Sequence, residues 1–338
     1  MYVQRFHIMH TRTAFRTGFQ GLFLDRAPFS IYNSRKRVIT IGKAVKYRQQ
    51  QGCGGAEMDR QSRPKLSDAE KQEPYATYYH RESAKVSSSV TADIERSPYP
   101  SKDALPFERI NDLLTPGYLP IENGYAYLPD GSVYVAVLTE MPKVTGEMLD
   151  WWFWWHPMSS LRYKIWYPEA HFAASMDVDQ HVYQQRKGPY RERYWNTTNY
   201  PVEDVGIGKD TLSITFVPPS DFGFDETRFE EADVATVVCG IVGSVTKKLR
   251  QFAHMCHFAR KNGEGVELRS RFWIGYRILK DGVPEKSVMT KLINKRAAKR
   301  LLLPRNAGIA MATHCAQEYS NLAEILPELY ATYEGVST

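Results

Sequence analysis

The chain has 338 residues, of which 43% are hydrophobic and 24% are charged, so it is long enough to bury the core of one large domain or two modest ones. Its mean hydropathy is −0.46, and no apolar run approaches the roughly 18 residues that a membrane span needs, which excludes an integral membrane protein. The four cysteines lie far apart and form no CxxC pair, which argues against a disulfide-dense scaffold or a cysteine-rich zinc module and favours reduced thiols.

The formal net charge of +6 is unevenly distributed along the chain. Residues 1–50 contain ten Arg or Lys and one Asp, a charge of +9, so the other 288 residues sum to −3. An Arg-rich, acid-poor beginning is typical of an organelle transit peptide, and the alternative is an unstructured extension. The mildly acidic remainder argues against nucleic-acid binding. We expect a cytoplasmic protein, or a mitochondrial one if residues 1–50 are a targeting segment.

Residues 50–100 are polar and contain few large aliphatic side chains, so burial cannot offset their chain entropy. We therefore expect residues 1–95 to be a basic, polar, largely disordered extension, with one short helix near residues 67–72. Ordered structure should begin near residues 98–106, where apolar residues become frequent. A chain that starts near Ser97 should then fold by itself.

Strand patterns dominate the rest of the chain. Two β-rich runs flank Pro-Asp-Gly at residues 129–131, which predicts a hairpin. Apolar residues recur at helical spacing from Ala312 to Leu326, which predicts a long C-terminal helix. The fold class is then α+β, with one antiparallel sheet that curls around this helix. The predicted strands are 125–128, 132–138, 162–166, 211–217, 235–243, 248–258 and 266–279, and the predicted helices are 144–154 and 310–333.

The densest aromatic run, Trp-Trp-Phe-Trp-Trp-His at residues 151–156, closes the first predicted helix. Tryptophan burial leaves His156 few water partners, so it is either a core histidine bonded to a backbone carbonyl or a metal ligand at the mouth of an aromatic pocket. Glu169 and His171, in the nearby Pro-Glu-Ala-His, are further possible ligands or neighbours of ligands, although such a turn usually lies at the surface.

Two further segments carry charged residues among strand-like ones. Glu203 lies between a β-like stretch and Gly206, where it is either a plain strand-end charge or a ligand. In the strand from Glu267 to Trp273, charged and apolar residues alternate, so one face would present Arg269 and its charged neighbours to a pocket. The alternative is a half-exposed strand, which we favour slightly for Arg269.

His314 and Glu318 stand at i and i+4 on the predicted C-terminal helix, so they share one face. This spacing lets a helix offer two ligands to one metal ion, although most such pairs are solvated or capping pairs. Alanine and leucine on the same face indicate that both side chains point inward. Because a buried, unpartnered carboxylate is costly, a cation would resolve that cost.

Taken together, these segments resemble one family, the diacetylphloroglucinol and phloretin hydrolases, which are zinc enzymes that cut a carbon–carbon bond between an acyl group and a phenolic ring. The resemblance covers about residues 105–335. The motifs that carry it, in chain order, are WWFWWH, RYKIWYPEAH, VEDVG, SITFVPPSDFGFD, ELRSRFWIG and HCAQEYSNLAEILPELY.

The resemblance implies a helix-grip fold like that of the Bet v 1 proteins, within a catalytic region at 96–338 that has a small helical and hairpin part at 96–150 and a zinc domain at 151–338. It also implies a Zn²⁺ ion bound by two His and two Glu. The matching residues are His156, Glu203, His314 and Glu318, with Glu192 or Glu169 as the alternative to Glu203.

The implied activity is hydrolysis of an acylated phenol to a carboxylic acid and the free phenol, with Glu203, His156 and Glu318 in catalysis and a tyrosine or histidine as proton carrier to the ring. Aromatic walls from Trp152, Trp155 and Trp273 would hold the phenolic ring. The resemblance further implies a homodimer. The main alternative is a non-catalytic helix-grip carrier of aromatic or polyketide ligands, which would not need the inward carboxylates.

Overall fold

A computed structural model describes residues 63–336 of the chain. This part contains ten α-helices and short 3₁₀ turns around a single sheet. The α-helices are α1 (Ala76–Tyr79), α2 (Ser88–Glu95), α3 (Gly146–Trp155), α4 (Ser160–Trp166), α5 (Gln180–Gln184), α6 (Tyr190–Tyr194), α7 (Pro219–Phe222), α8 (Val288–Ile293), α9 (Arg296–Leu302) and α10 (Ala307–Tyr333). No helix among these residues is long and apolar enough to cross a membrane.

The sheet of the described region has nine strands, and all of its neighbours pair antiparallel. The strand order is β1-β2-β9-β8-β7-β6-β5-β3. Strand β4 stands outside this linear order and pairs with β6. The strands are β1 (Gly124–Tyr127), β2 (Val133–Met141), β3 (His171–Ala173), β4 (Thr198–Asn199), β5 (Val202–Glu203), β6 (Asp210–Val217), β7 (Val234–Ser244), β8 (Leu249–Asn262) and β9 (Gly265–Lys280).

The predicted hairpin, the helix that ends in the aromatic run and the long C-terminal helix are all confirmed. The strand predictions are confirmed for β1, β2 and β6 to β9. One strand prediction is wrong, because residues 162–166 form α4. Ser159 caps this helix by accepting a hydrogen bond from the Leu161 amide at 3.1 Å. Burial from Leu161 to Trp166 explains the error, since a fully buried short helix has the same apolar content as a strand.

One face of the sheet grips α10, which packs against β1 and β2. The apolar stripe predicted on this helix is confirmed, since all of its members are buried: Ala312, Cys315, Tyr319, Leu322 and Leu326. The prediction of an α+β helix-grip fold is therefore confirmed. The described cysteines are buried free thiols, with Cys315 in this core and Cys239 and Cys256 on the other face of the sheet.

The other face of the sheet is covered by the chain that precedes β1, and this contradicts the predicted half-exposed strand. Arg269 and Arg271 are buried, and both pair with Glu122, at 2.6 Å for Arg269. Burial alone would raise the pKa of Glu122, but the charges of Arg271 and Arg269 hold it below its usual value. The charged face of β9 is thus turned away from the inner side of the sheet, where Phe272 and Ile274 lie.

The expectation that the chain is disordered up to residue 95 is wrong for residues 63–95. This segment packs against the domain and contributes large side chains to the main core. The general polarity of the segment hid these widely spaced residues, which are Leu66, Tyr75, Tyr78, Tyr79 and Ile94. Residues 1–62 lie outside the described residues, as do the predicted transit peptide and Cys53.

The first prediction corrects the expected start of the folded domain. A chain that begins at Ser97 loses five buried side chains, each worth about 1.5–3 kcal/mol. Their sum approaches the stability of a typical domain, about 5–15 kcal/mol. We expect this chain to unfold or aggregate, whereas a chain that begins at Glu57 should melt like the full chain in a thermal unfolding measurement. Equal melting temperatures for both would contradict the assignment of residues 63–95 to the core.

Candidate metal centre

Two distant parts of the chain bring two histidines and two glutamates together. Strand pairing places His171 of β3 directly opposite Glu203 of β5, and their Nε2 and Oε2 atoms are 3.8 Å apart. From α10, Glu318 Oε2 lies 3.6 Å from His171 Nε2 and 3.7 Å from His314 Nε2. Ligand atoms of His171, Glu203 and His314 all lie within 4.8 Å of one another. We call these four residues the His/Glu cluster.

Tyr163 of α4 fixes the orientation of His171. The Nδ1–H of His171 donates to the backbone carbonyl of Tyr163 at 3.0 Å, and the two rings stack with their centroids 3.9 Å apart. Nε2 of His171 is therefore the unprotonated nitrogen, and it has no hydrogen-bond partner in the described structure. The Tyr163 hydroxyl donates to Glu203. A histidine held in this way offers a lone pair to a metal ion.

All four side chains of the cluster are buried, and burial governs their pKa values. Burial keeps the pKa of His171 well below its usual value and lowers that of His314 to about 3, so both rings are neutral. Burial raises the pKa of Glu203 to about 7, although the hydrogen bond from Tyr163 opposes this change. Burial and then the charge of Glu203 raise the pKa of Glu318 well above its usual value. Because burial disfavours the ionised form of both glutamates, a positive charge between them would stabilise the cluster.

The donor set fits a divalent metal ion. Neutral imidazoles and carboxylates are the nitrogen and oxygen ligands that such ions take in proteins. The unpaired Nε2 of His171 points toward the carboxylates, where an ion would complete its bonding. The described region thus has a possible metal-binding triad in His171, Glu203 and His314, with Glu318 beside it.

The structure brings together three of the four predicted metal ligands and adds His171 to them. His156 is not among the residues whose ligand atoms converge. Its Nδ1–H donates to the Trp152 carbonyl at 2.8 Å, and its ring stacks on Trp152. This contact is the one expected of a core histidine, and the role of His156 as a ligand stays a prediction. The two alternatives to Glu203 also lie elsewhere: Glu169 pairs with Arg63, and Glu192 is exposed.

An apolar cavity of about 500 Å³ opens beside the cluster. Glu203, His314 and Glu318 contribute to its wall, together with Tyr163 and His257. Aromatic side chains from α3, α4 and three strands form much of the rest of the wall: Phe153, Trp166, Phe216, Phe252 and Phe272. A pocket of this volume with few polar groups is typical of a site for a small, largely apolar molecule.

The three tryptophans predicted to hold the substrate do not line this cavity. Trp152 and Trp155 are packed inside the aromatic layer behind it, where Trp155 stacks on Trp151 with their centroids 4.8 Å apart. Trp273 points to the other face of the sheet and donates to the Leu105 carbonyl at 2.8 Å. The aromatic run correctly indicates where the cavity lies in the sequence. It does not indicate which of the aromatic side chains face the cavity.

A substitution pair separates the two histidines. His171→Ala removes a buried ligand nitrogen, so we expect its metal content, measured by elemental analysis of the purified protein, to fall to a small fraction of that of the unaltered chain. His156→Ala removes a cavity-wall side chain that is bonded to a carbonyl, so its metal content should stay the same. Metal loss in His156→Ala with retention in His171→Ala would reverse this assignment.

A second pair separates the core aromatics from the cavity aromatics. Trp155→Ala should cost about 3–5 kcal/mol of unfolding free energy in a denaturant titration, because it deletes a fully buried ring. Phe252→Ala removes a half-buried cavity ring, so it should cost less stability and weaken binding of an aromatic ligand. A stable Trp155→Ala protein with weakened ligand binding would restore the first interpretation of the tryptophans.

Known proteins resemble this chain over most of its length. The family described as "DAPG hydrolase PhiG domain" matches residues 105–331. Phloretin hydrolase of Eubacterium ramulus is 36% identical over 273 residues, which cover 79% of this chain and 92% of that protein. The 2,4-diacetylphloroglucinol hydrolase of Pseudomonas protegens is 29% identical over 267 residues, or 78% of this chain and 86% of that protein.

Solved structures overlap the chain more loosely. The crystal structure of Ara h 8.0201 aligns with 60% of this chain and 99% of its own, at a TM-score of 0.32 and 8% identity. The family match and the 36% identity to phloretin hydrolase confirm the prediction of a hydrolase. The chain belongs to the DAPG hydrolase family.

Proposed function

We propose that the chain is a zinc-dependent hydrolase that cleaves the carbon–carbon bond between an acyl group and a phenolic, phloroglucinol-type ring. The products would be a carboxylic acid and the free phenol. The observation that carries the proposal is the buried His/Glu cluster in the wall of an apolar cavity. The names of the two relatives, phloretin hydrolase and 2,4-diacetylphloroglucinol hydrolase, supply the substrate class.

Zinc is the ion that we propose for the cluster. Two imidazole nitrogens with carboxylate oxygens are a usual catalytic ligand set for Zn²⁺. The residues that would hold it are His171, Glu203, His314 and Glu318. The chemistry that bound zinc supplies is a lowered pKa for water and polarisation of the acyl carbonyl.

The cavity wall would position the substrate. Apolar rings from the sheet and from α4 would pack against the phenolic ring and exclude bulk water from the bond that breaks. The keto form of the ring is the form that can leave, because the ring carbon then departs as a stabilised enolate. In the balanced reaction, the hydroxyl of water adds to the acyl carbon and its remaining proton ends on the ring carbon.

Tyr163 is the group that we propose as carrier of this proton. Tyr163 lines the cavity and its hydroxyl donates to Glu203. Once the tyrosine has given its own proton to the ring carbon, its oxygen can take up the proton that the carboxylate has removed from water. Burial and then the charge of Glu203 hold the pKa of Tyr163 well above its usual value, so the hydroxyl keeps its proton until the ring carbon accepts it. His257, another candidate in the cavity wall, has its pKa lowered to about 3 by burial and is neutral.

The test compares near-isosteric changes in the cluster with a neighbour on α10. Glu318→Gln and Glu203→Gln keep the packing but remove a charge that offsets the ion. Since even partners of metal ligands change affinity by about 10–100-fold, loss of a ligand should lower zinc affinity and acylphloroglucinol hydrolysis by more than about 100-fold. Gln317→Ala is the control, because this side chain donates to the Ala84 carbonyl and lies outside the cluster.

Hydrolysis would be followed by release of the phenol, and zinc content by elemental analysis before and after a chelator. Circular dichroism should show that both Gln variants fold. An active, zinc-replete Glu318→Gln protein would contradict the proposed metal site. A chain that binds acylphloroglucinols, contains zinc and releases no phenol would support the carrier function instead.

The homodimer and the cytoplasmic location, with mitochondria as its alternative, stay predictions. Sedimentation of the purified chain tests the first. Fractionation of cells that express the full chain tests the second.

A further inference from the structure

A buried asparagine lies in the cavity wall with its amide unused. Asn199 of β4 is only 4% exposed, and neither its amide nitrogen nor its amide oxygen has a hydrogen-bond partner among residues 63–336. Its strand partner is Ile214 of β6, another cavity residue. The neighbouring pair, Thr198 and Thr215, bond to each other at 3.0 Å on the opposite face. The register of β4 therefore directs this amide into the cavity.

A second buried asparagine in the described region, Asn321, has the opposite arrangement. Asn321 of α10 is 5% exposed, and its amide is fully used. It accepts from the Ala84 amide at 3.1 Å and donates to the carbonyls of Ile165 and Trp166 at 3.2 and 2.9 Å. Asn321 thus ties three segments together. The Asn199 amide makes no such hydrogen bonds among the described residues, although burying it has the same desolvation cost.

The position of Asn199 relative to the cluster suggests what it meets. Along β6, the partner of Asn199 is Ile214 and the partner of Glu203 is Asp210, four residues away. Four strand residues span about 13 Å, which leaves room for one aromatic ring between the amide and the His/Glu cluster. Most residues that line the cavity are apolar. The two N–H donors and the oxygen acceptor of the Asn199 side chain can therefore orient a ring in this cavity.

We propose that Asn199 is a substrate-binding residue that takes the phenolic hydroxyl across the ring from the acyl carbon. A hydroxyl is both donor and acceptor, and so is the asparagine amide. The assignment rests on the proposed function for the identity of the ring. It makes the enzyme specific for acylphenols with this hydroxyl, because an analogue without it leaves the buried amide unpaired.

The test uses two ligands that lack a scissile carbonyl, so the full, metal-loaded chain binds them without turnover. 2-Ethylbenzene-1,3,5-triol has the hydroxyl opposite its alkyl group, and 2-ethylbenzene-1,3-diol lacks it. Calorimetric titration should show that the unaltered chain binds the triol about 10-fold more tightly or better, the equivalent of one hydrogen bond. In Asn199→Leu and Asn199→Ala, this preference for the triol should disappear.

Thermal unfolding without ligand separates binding from structure. Asn199→Leu should melt at the same temperature as the unaltered chain or higher, because it removes an unpaired buried amide. Asn321→Leu is the matched control, which should melt lower and keep the preference for the triol. Retention of the preference in both Asn199 variants would overturn the proposal, as would a fall in melting temperature like that of Asn321→Leu with the preference intact.

The outcomes also separate this inference from the proposed function. If the chain hydrolyses no acylphloroglucinol but the preference for the triol depends on Asn199, the subsite stands and the reaction is wrong. If hydrolysis occurs and the preference does not depend on Asn199, the reaction stands and the subsite is wrong. Failure of the unaltered chain to bind either ligand overturns the subsite.

Discussion

The burial of two carboxylates beside an apolar cavity is the constraint on which the rest of the site depends. Glu203 and Glu318 lie 115 residues apart in the sequence, and burial raises the pKa of both. An isolated buried carboxylate is either neutral or paired, since its desolvation cost is otherwise too high. Two neutral imidazoles do not supply the missing charge. A divalent cation supplies it and also uses the free nitrogen of His171.

The architecture meets this constraint by placing the cluster where the edge of the sheet faces the helix. β3 and β5 are only three and two residues long, yet their pairing is what sets His171 against Glu203. The aromatic layer of α3 and α4 packs behind them, and Tyr163 from that layer touches both residues. The long strands form part of the cavity wall with one face and bury charged residues with the other. In β9, alternate residues therefore point to the cavity side and to the opposite side of the sheet.

The sequence predicts the local parts of this arrangement and misses the long-range ones. His314 and Glu318 were found because helical spacing alone puts them on one face. The sequence marks His171 only as a secondary candidate, because its contact with Glu203 depends on two short strands that pair across 32 residues. Neither of these strands has a strong strand pattern. The resemblance implies His156 as a ligand, and the structure shows it at the end of a helix, bonded to the carbonyl four residues earlier.

The position of the metal ligands on α10 also links the site to the stability of the domain. Cys315 and Leu322 flank the ligand pair on the same helix, and both are completely buried between the helix and the sheet. The packing of these residues fixes the rotation and the axial position of α10. His314 and Glu318 share that rigid frame, so they cannot move toward Glu203 without disturbing the core. The fold thus holds two of the four candidate ligands in place through packing, before any ion contributes.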